Sequence, residues 1–225
     1  MRVNPLIAFA INLAFPKPRE QNVAVAEPEL ADSPVITMLK RKAGAVVVVL
    51  GRRESGKTVV AYRLAEGMGR KVYAVSPEQC PPPGVTELKM EQLEAEPPPF
   101  STLVLDDLPV YASSHDYGDA FVKNLERMIP VVRHKRKLIL IFCTQLASLA
   151  DKYALDADVV IFKPPSLLYQ DLERISVKKW QDSLAPIWEG KSDMWVKKHC
   201  FILSHSWKGL VSVDKPHSFT EEDRV

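Results

Sequence analysis

The chain has 225 residues, of which 46% are hydrophobic and 26% charged, with a formal net charge of +2. That length holds one sizeable α/β domain with small additions and excludes two full ones, and the composition is that of a soluble globular protein. Near-neutral charge excludes nucleic-acid binding by overall attraction, so any such contact must rest on local patches.

The three cysteines, Cys80, Cys143 and Cys200, are scattered and lack metal or disulfide spacing, so they read as reduced packing residues. The opening MRVNPLIAFAINLAF could pass for a signal peptide. Its apolar run is broken at Asn12, though, its positive region is Arg2 alone, and no small-residue cleavage site precedes Pro16. It reads as a strand or arm, with a peripheral membrane contact as the alternative. No stretch reaches the ~18 to 20 apolar residues that span a bilayer. Residues 16–33 carry Pro16, Pro18 and Pro28 among charges and read as an extended linker, completing an arm over residues 1–33. Ser33-Pro34 has the form of a helix start, with the Ser33 hydroxyl as cap, and the helix is expected to end at Gly44.

Val46 to Leu50 is a continuous apolar, β-prone run, which predicts a central parallel strand covered on both faces. Gly51-Arg52-Arg53-Glu54-Ser55-Gly56-Lys57-Thr58 follows it, matching GxxxxGKT, the phosphate-binding loop. Glycines at the two ends let successive N–H groups turn inward around a β-phosphate, with the next helix aiming its N-terminus at the same charge. Lys57 is expected to reach the β- and γ-phosphates of ATP and Thr58 to ligate Mg2+, while Glu54 is expected to point away at the surface. A helix from Lys57 to about Met68 should bury Val60, Leu64 and Met68 and stop at Gly67 and Gly69. A strand over residues 71–75 then completes a β-α-β unit.

Leu103-Val104-Leu105 ends in two acids: Asp106 is assigned to the metal and Asp107 to the attacking water as general base. Residues 117–130 read as a helix burying Phe121, Leu125 and Met128. After the basic run Arg133 to Lys137, Leu138 to Phe142 should form a strand ending in Cys143-Thr144-Gln145. A polar tip on a strand inserted between the loop strand and the metal-acid strand senses the γ-phosphate in one division of phosphate-loop folds. Gln145, with Thr144 beside it, is the candidate for that role; a polar helix cap is the alternative reading.

Taken together, GRRESGKT, LVLDDL, the Arg133-His134 pair before LILIFCTQ, and LDADVVIFKPPS resemble, in order and spacing, the FtsK/HerA-type ATPases. They are most similar to the genome-packaging ATPases of internal-membrane, double jelly-roll viruses. The resemblance spans about residues 44–213. It implies a three-layer α/β fold of the additional-strand, RecA-like class with a mainly parallel sheet, and a homo-oligomeric ring that moves double-stranded DNA with ATP and Mg2+ into a preformed capsid. Capsid vertex or internal membrane proteins would then be partners, and the virion or host cytoplasm its location. It also implies an arginine reaching the neighbouring subunit's γ-phosphate. Of Arg127, Arg133 and Arg136, position favours Arg133, although the same basic run could face DNA phosphates or only solvent. The rival is a phage morphogenesis ATPase similar to zonula-occludens-toxin-like proteins, which usually carry a transmembrane helix.

Within an expected ATPase domain over residues 34–213, the core takes residues 44–163, and residues 164–213 form a helical and hairpin part before a mobile tail over residues 214–225. Leu168, Leu172 and Ile175 fall at helical intervals, with a cut expected at Pro186. Trp180, Trp188 and Trp195 read as core or interface anchors rather than base-stacking residues. Residues 200–203 and 210–213 should form a hairpin turning at Gly209, with His199, His205 and His217 on the surface.

Overall fold

The computed structural model describes residues 27–76, 80–89, 92–93, 97–106, 137–145, 157–165 and 175–214. The early arm, the helix expected from Tyr117, Asp107, Arg127, the run Arg133 to Arg136, Leu168, Leu172 and the tail from residue 215 lie outside them.

Continuous apolar runs become strands buried on both faces, because a parallel sheet needs helices over each side. Every residue of β1 (Ala45–Leu50) is buried, as is every residue of β4 (Thr102–Leu105), β5 (Ile139–Thr144) and β6 (Val159–Phe162). With β2 (Val72–Val75), β3 (Thr86–Glu87), β7 (His199–Ser204) and β8 (Lys208–Ser212), they form an eight-stranded sheet ordered β3-β2-β4-β5-β1-β6-β7-β8. The first six strands run parallel, and β7 and β8 add an antiparallel hairpin. β5 lies between β1 and β4, which is the inserted-strand arrangement expected from the Thr-Gln tip.

Alternation along the strands splits the core into two layers. Ala45, Val47 and Val49 pack with α1 (Pro34–Lys40) and α2 (Lys57–Met68) through Ile36, Leu39, Val60, Leu64 and Met68. Val46, Val48 and Leu50 face the opposite layer, where α3 (Ile175–Trp188) supplies Val177 and Leu184, with Trp180 packed against them. The Trp180 ring meets Phe162 edge-on at 6.0 Å, so it anchors the core. No helix among the described residues is long and apolar enough to cross a membrane.

Local details depart from expectation at five places. The Ser33 hydroxyl donates to the Leu30 carbonyl at 2.7 Å and makes no cap bond to α1, because a 3-10 turn over Leu30–Asp32 precedes the helix and takes that hydrogen. α1 stops at Lys40, four residues before Gly44. Gly69 ends α2 with φ 64°, but Gly67 lies inside the helix as a packing glycine, where a Cβ would come within 2.8 Å of Ile36 Cδ1. Pro186 sits in the last turn of α3 and does not cut it. The hairpin turns at Ser204 to Trp207, held by the Ser204 N–H and hydroxyl on the Trp207 carbonyl, while Gly209 lies within β8 and leaves room for the Trp207 ring.

Candidate functional site

The carboxyl ends of β1, β4 and β5 carry the candidate residues to one edge of the sheet, the usual ligand edge of an open parallel sheet. Leu50 pairs with Thr144, and Leu105 with Phe142, so Asp106 emerges one residue beyond the Phe142 level beside the loop. The Gly51 N–H donates to the Thr144 carbonyl at 3.3 Å, which fastens the loop to the tip of β5.

The loop is organised around the Arg52 carbonyl. It accepts from the Ser55 hydroxyl at 2.8 Å and the Lys57 ammonium at 2.9 Å, and the Arg52 N–H donates to the Pro164 carbonyl at 2.8 Å. Ser55 and Lys57 are buried, whereas Arg52, Arg53 and Glu54 are exposed. Glu54 takes φ 59° and Gly56 φ 89°, so alternate left-handed residues bend the chain before α2 begins. A Cβ on Gly51 would come within 2.4 Å of Lys163 Cβ, and one on Gly56 within 3.0 Å of the Lys197 carbonyl. Both glycines are therefore required by contact, and Gly56 by backbone angle as well.

Thr58 lies in the first turn of α2, and Asp106 continues the row of Val104, which packs in the α2 layer. Tyr62 lies one helical turn after Thr58 on the same helix face. Its phenol pKa is raised by burial first and then by the charge of Asp106. Asp106 is 5% exposed. A hydroxyl and a carboxylate are hard oxygen donors, the set that suits Mg2+ held together with substrate phosphates. Gln145 is half-buried just past the β5 tip. Thr144 is fully buried and continues the row of Leu140 and Phe142, on the face away from α2. Asp107 and Arg133 lie outside the described residues.

Lys163 is a site residue that sequence reasoning missed. It directly follows β6, is 1% exposed, and its ammonium donates to three carbonyls, Val196 at 2.9 Å and Lys197 at 2.9 Å in the last turn of α4 (Asp193–Lys198) and His199 at 2.7 Å just after it. A helix end leaves carbonyls short of donors, Val196 here having the His199 N–H besides, and a cation is also favoured there by the dipole. Burial lowers the Lys163 pKa to about 8; Cys200 opposes that shift and Lys57 adds to it. The signal available in the sequence was a lysine closing a wholly apolar strand, VVIFK, at the strand end next to the loop.

α4 is clamped to the loop at its other end too, where Arg52 donates to Asp193 at 2.7 Å. His199, expected at the surface, is instead stacked on Trp195 at 3.9 Å, bonded through Nδ1 to the Trp195 carbonyl, and 3.0 Å from Glu27 through Nε2. The Trp195 aromatic surface attracts it there, and Lys191 lies over the same indole at 4.8 Å.

No family model and no curated protein matches this sequence. Among solved structures, the chain is similar to B204, the DNA-packaging ATPase of Sulfolobus Turreted Icosahedral Virus, at 13% identity, covering 78% of this chain and 99% of that one with a TM-score of 0.50. Looser likenesses are the genome packaging NTPase B204 of Sulfolobus turreted icosahedral virus 2 in complex with ATP-gammaS, at 14% identity, 77% and 98% coverage and a TM-score of 0.41, and the cytoplasmic domain of the Thermomonospora curvata Type VII secretion ATPase EccC, at 14%, 77% and 24%, and 0.44. The chain thus shares the fold of a viral packaging P-loop ATPase.

Proposed function

We propose that the chain is an Mg2+-dependent ATPase that assembles as a homo-oligomeric ring and moves double-stranded DNA, as in packaging a viral genome into a preformed capsid. One observation carries the ATPase reading. The GxxxxGKT loop follows a buried central strand, and an inserted strand tipped by Thr144-Gln145 separates it from the strand ending at Asp106. The DNA and ring readings are supported by the sequence resemblance and by the fold shared with B204.

In this reading Lys57 exchanges the Arg52 carbonyl for the β- and γ-phosphates of ATP, and the loop N–H groups and the N-terminus of α2 hold the same charge. Thr58 and Asp106 would hold Mg2+, which neutralises charge developing on the phosphates. Asp107 takes a proton from the attacking water, Gln145 orients that water against the γ-phosphate, and Arg133 of a neighbouring copy stabilises the transition state. Capsid vertex or internal membrane proteins would anchor the ring.

The test is ATP turnover against protein concentration, with and without duplex DNA. The expected outcome is a steep rise with both. Asp107→Asn is expected to lower turnover about 100-fold or more, and Arg133→Ala to remove the concentration-dependent part. Turnover indifferent to DNA and to concentration would refute the motor reading while leaving an ATPase.

A further inference from the structure

Three unusual features meet at the sheet end opposite the phosphate loop. The first is register. Val72, Thr102, Ile139 and Ala45 are aligned across β2, β4, β5 and β1, so the residues just before them share one end of the sheet. There stand Lys71 before β2, Lys137 before β5, and Lys40 and Arg41 at the end of α1 leading into β1, all four exposed. Two acids among the described residues near them are engaged: Asp158 accepts from Lys42 at 2.7 Å and from the Val46 N–H at 2.9 Å, and Glu66 is paired with Arg63.

The second feature is strain. Phe100 and Lys137 take φ 63° and 53°, angles that bulky residues rarely adopt. They are held there by each other, the Phe100 N–H donating to the Lys137 carbonyl at 3.0 Å and the Lys137 ammonium lying 5.2 Å over the ring. The third is exposure, since Phe100 is 56% exposed. Neither the phosphate loop nor core packing explains a strained, exposed aromatic with a lysine over its ring, and such strain persists where the surroundings over-determine it.

We propose that this end of the sheet, with Lys40, Arg41, Lys71 and Lys137 set around Phe100, is a contact surface for the phosphate backbone of double-stranded DNA. The proposal rests on the DNA reading above and gives it a location. Three inter-strand spacings of ~4.8 Å spread the cations over about 14 Å, some four base-pair steps of a duplex. A phosphate backbone needs distributed cations and no pocket, which is what strand ends provide. An anionic membrane fits less well, because among the described residues Phe100 is the single large apolar side chain exposed here.

The experiment titrates a dye-labelled 20-base-pair duplex with full-length protein from 50 to 200 mM KCl. Arg41→Ala/Lys71→Ala/Lys137→Ala is compared with wild type and with Lys89→Ala/Lys179→Ala/Lys198→Ala, which removes equal charge elsewhere. Binding of a fluorescent ATP analogue reports that each variant is folded. The first variant should weaken binding at 100 mM salt at least 10-fold and lower the log-log salt slope by about 2 to 3, near 0.9 per lost contact, with the second unchanged. Equal slopes in the two variants would overturn the location while leaving DNA binding in place, whereas a wild type that binds no duplex would overturn the DNA reading itself. Loss of binding to vesicles containing phosphatidylserine, with duplex binding intact, would reassign the surface to a membrane.

Discussion

At the scale of single residues, Lys163 and Gly51 hold the site together from beneath. A Gly51→Ala Cβ meets backbone-proximal Lys163 Cβ at 2.4 Å, where no flexible side-chain end can yield. Overpacking of that kind costs about 1–3 kcal/mol, so the melting temperature should fall by several degrees and ATP-analogue affinity with it. Lys163 gives a pH prediction with a defined sign. Its pKa falls from 10.5 in the open chain to about 8 in the fold, so between those values the unfolded chain holds more protons, and stability contributed by this group rises with pH. Below pH 8 both states are protonated and the burial cost is constant. Nucleotide binding runs the opposite way. Phosphate charge beside Lys163 favours its protonated form, so ATP-analogue affinity should decline as pH rises past 8, with proton uptake measurable by calorimetry in buffers of different ionisation enthalpy. Lys163→Met should abolish that uptake, and uptake that survives the substitution would remove Lys163 from the explanation.

Among the elements, α4 is fixed at its two ends by contacts of unequal worth. The Arg52–Asp193 pair is largely exposed, with side chains 46% and 82% accessible, so Asp193→Ala should cost no more than about 1 kcal/mol. Lys163→Ala removes a buried donor shared by three carbonyls, of which Val196 keeps the His199 N–H, and should cost about 3 kcal/mol by denaturant unfolding. Gly67→Ala within α2 should be nearly neutral, because about 1 kcal/mol of helix propensity offsets a clash with the movable end of Ile36. β1, β4, β5 and α2 were legible in the sequence because burial on both faces writes continuous apolar runs and the glycines bracket the loop, whereas β3, two exposed residues, left no such signal. The clamp on α4 was not, since it joins Lys163 to carbonyls 33 to 36 residues away that carry no side-chain signature. The Ser33 cap and the Gly209 turn failed for a related reason: a neighbouring turn had already used the hydrogen bond, or the space, that the local pattern reserved for them.

Across the whole molecule, a net charge of +2 conceals two ends of different character, a phosphate-binding edge and a basic edge, separated by the length of the strands. Substrate bound at the first should raise stability by about 2.7 kcal/mol at a hundredfold excess over its Kd, a gain read as a thermal shift and absent in Lys57→Ala. The outer edges of the sheet differ too. At one, β3 is only two residues long. At the other, β8 receives the incoming arm: the Ser212 N–H donates to the Pro28 carbonyl at 3.1 Å, Glu29 bridges Ser212, Glu27 reaches His199, and Leu30 is fully buried below. A chain begun at Pro34, where the sequence pattern first looks helical, would free the Ser212 N–H at the end of β8. It should self-associate by strand addition, visible as light scattering at concentrations where the intact chain stays clear. On this prediction the short strap before the first helix serves to keep one molecule's sheet from growing into the next.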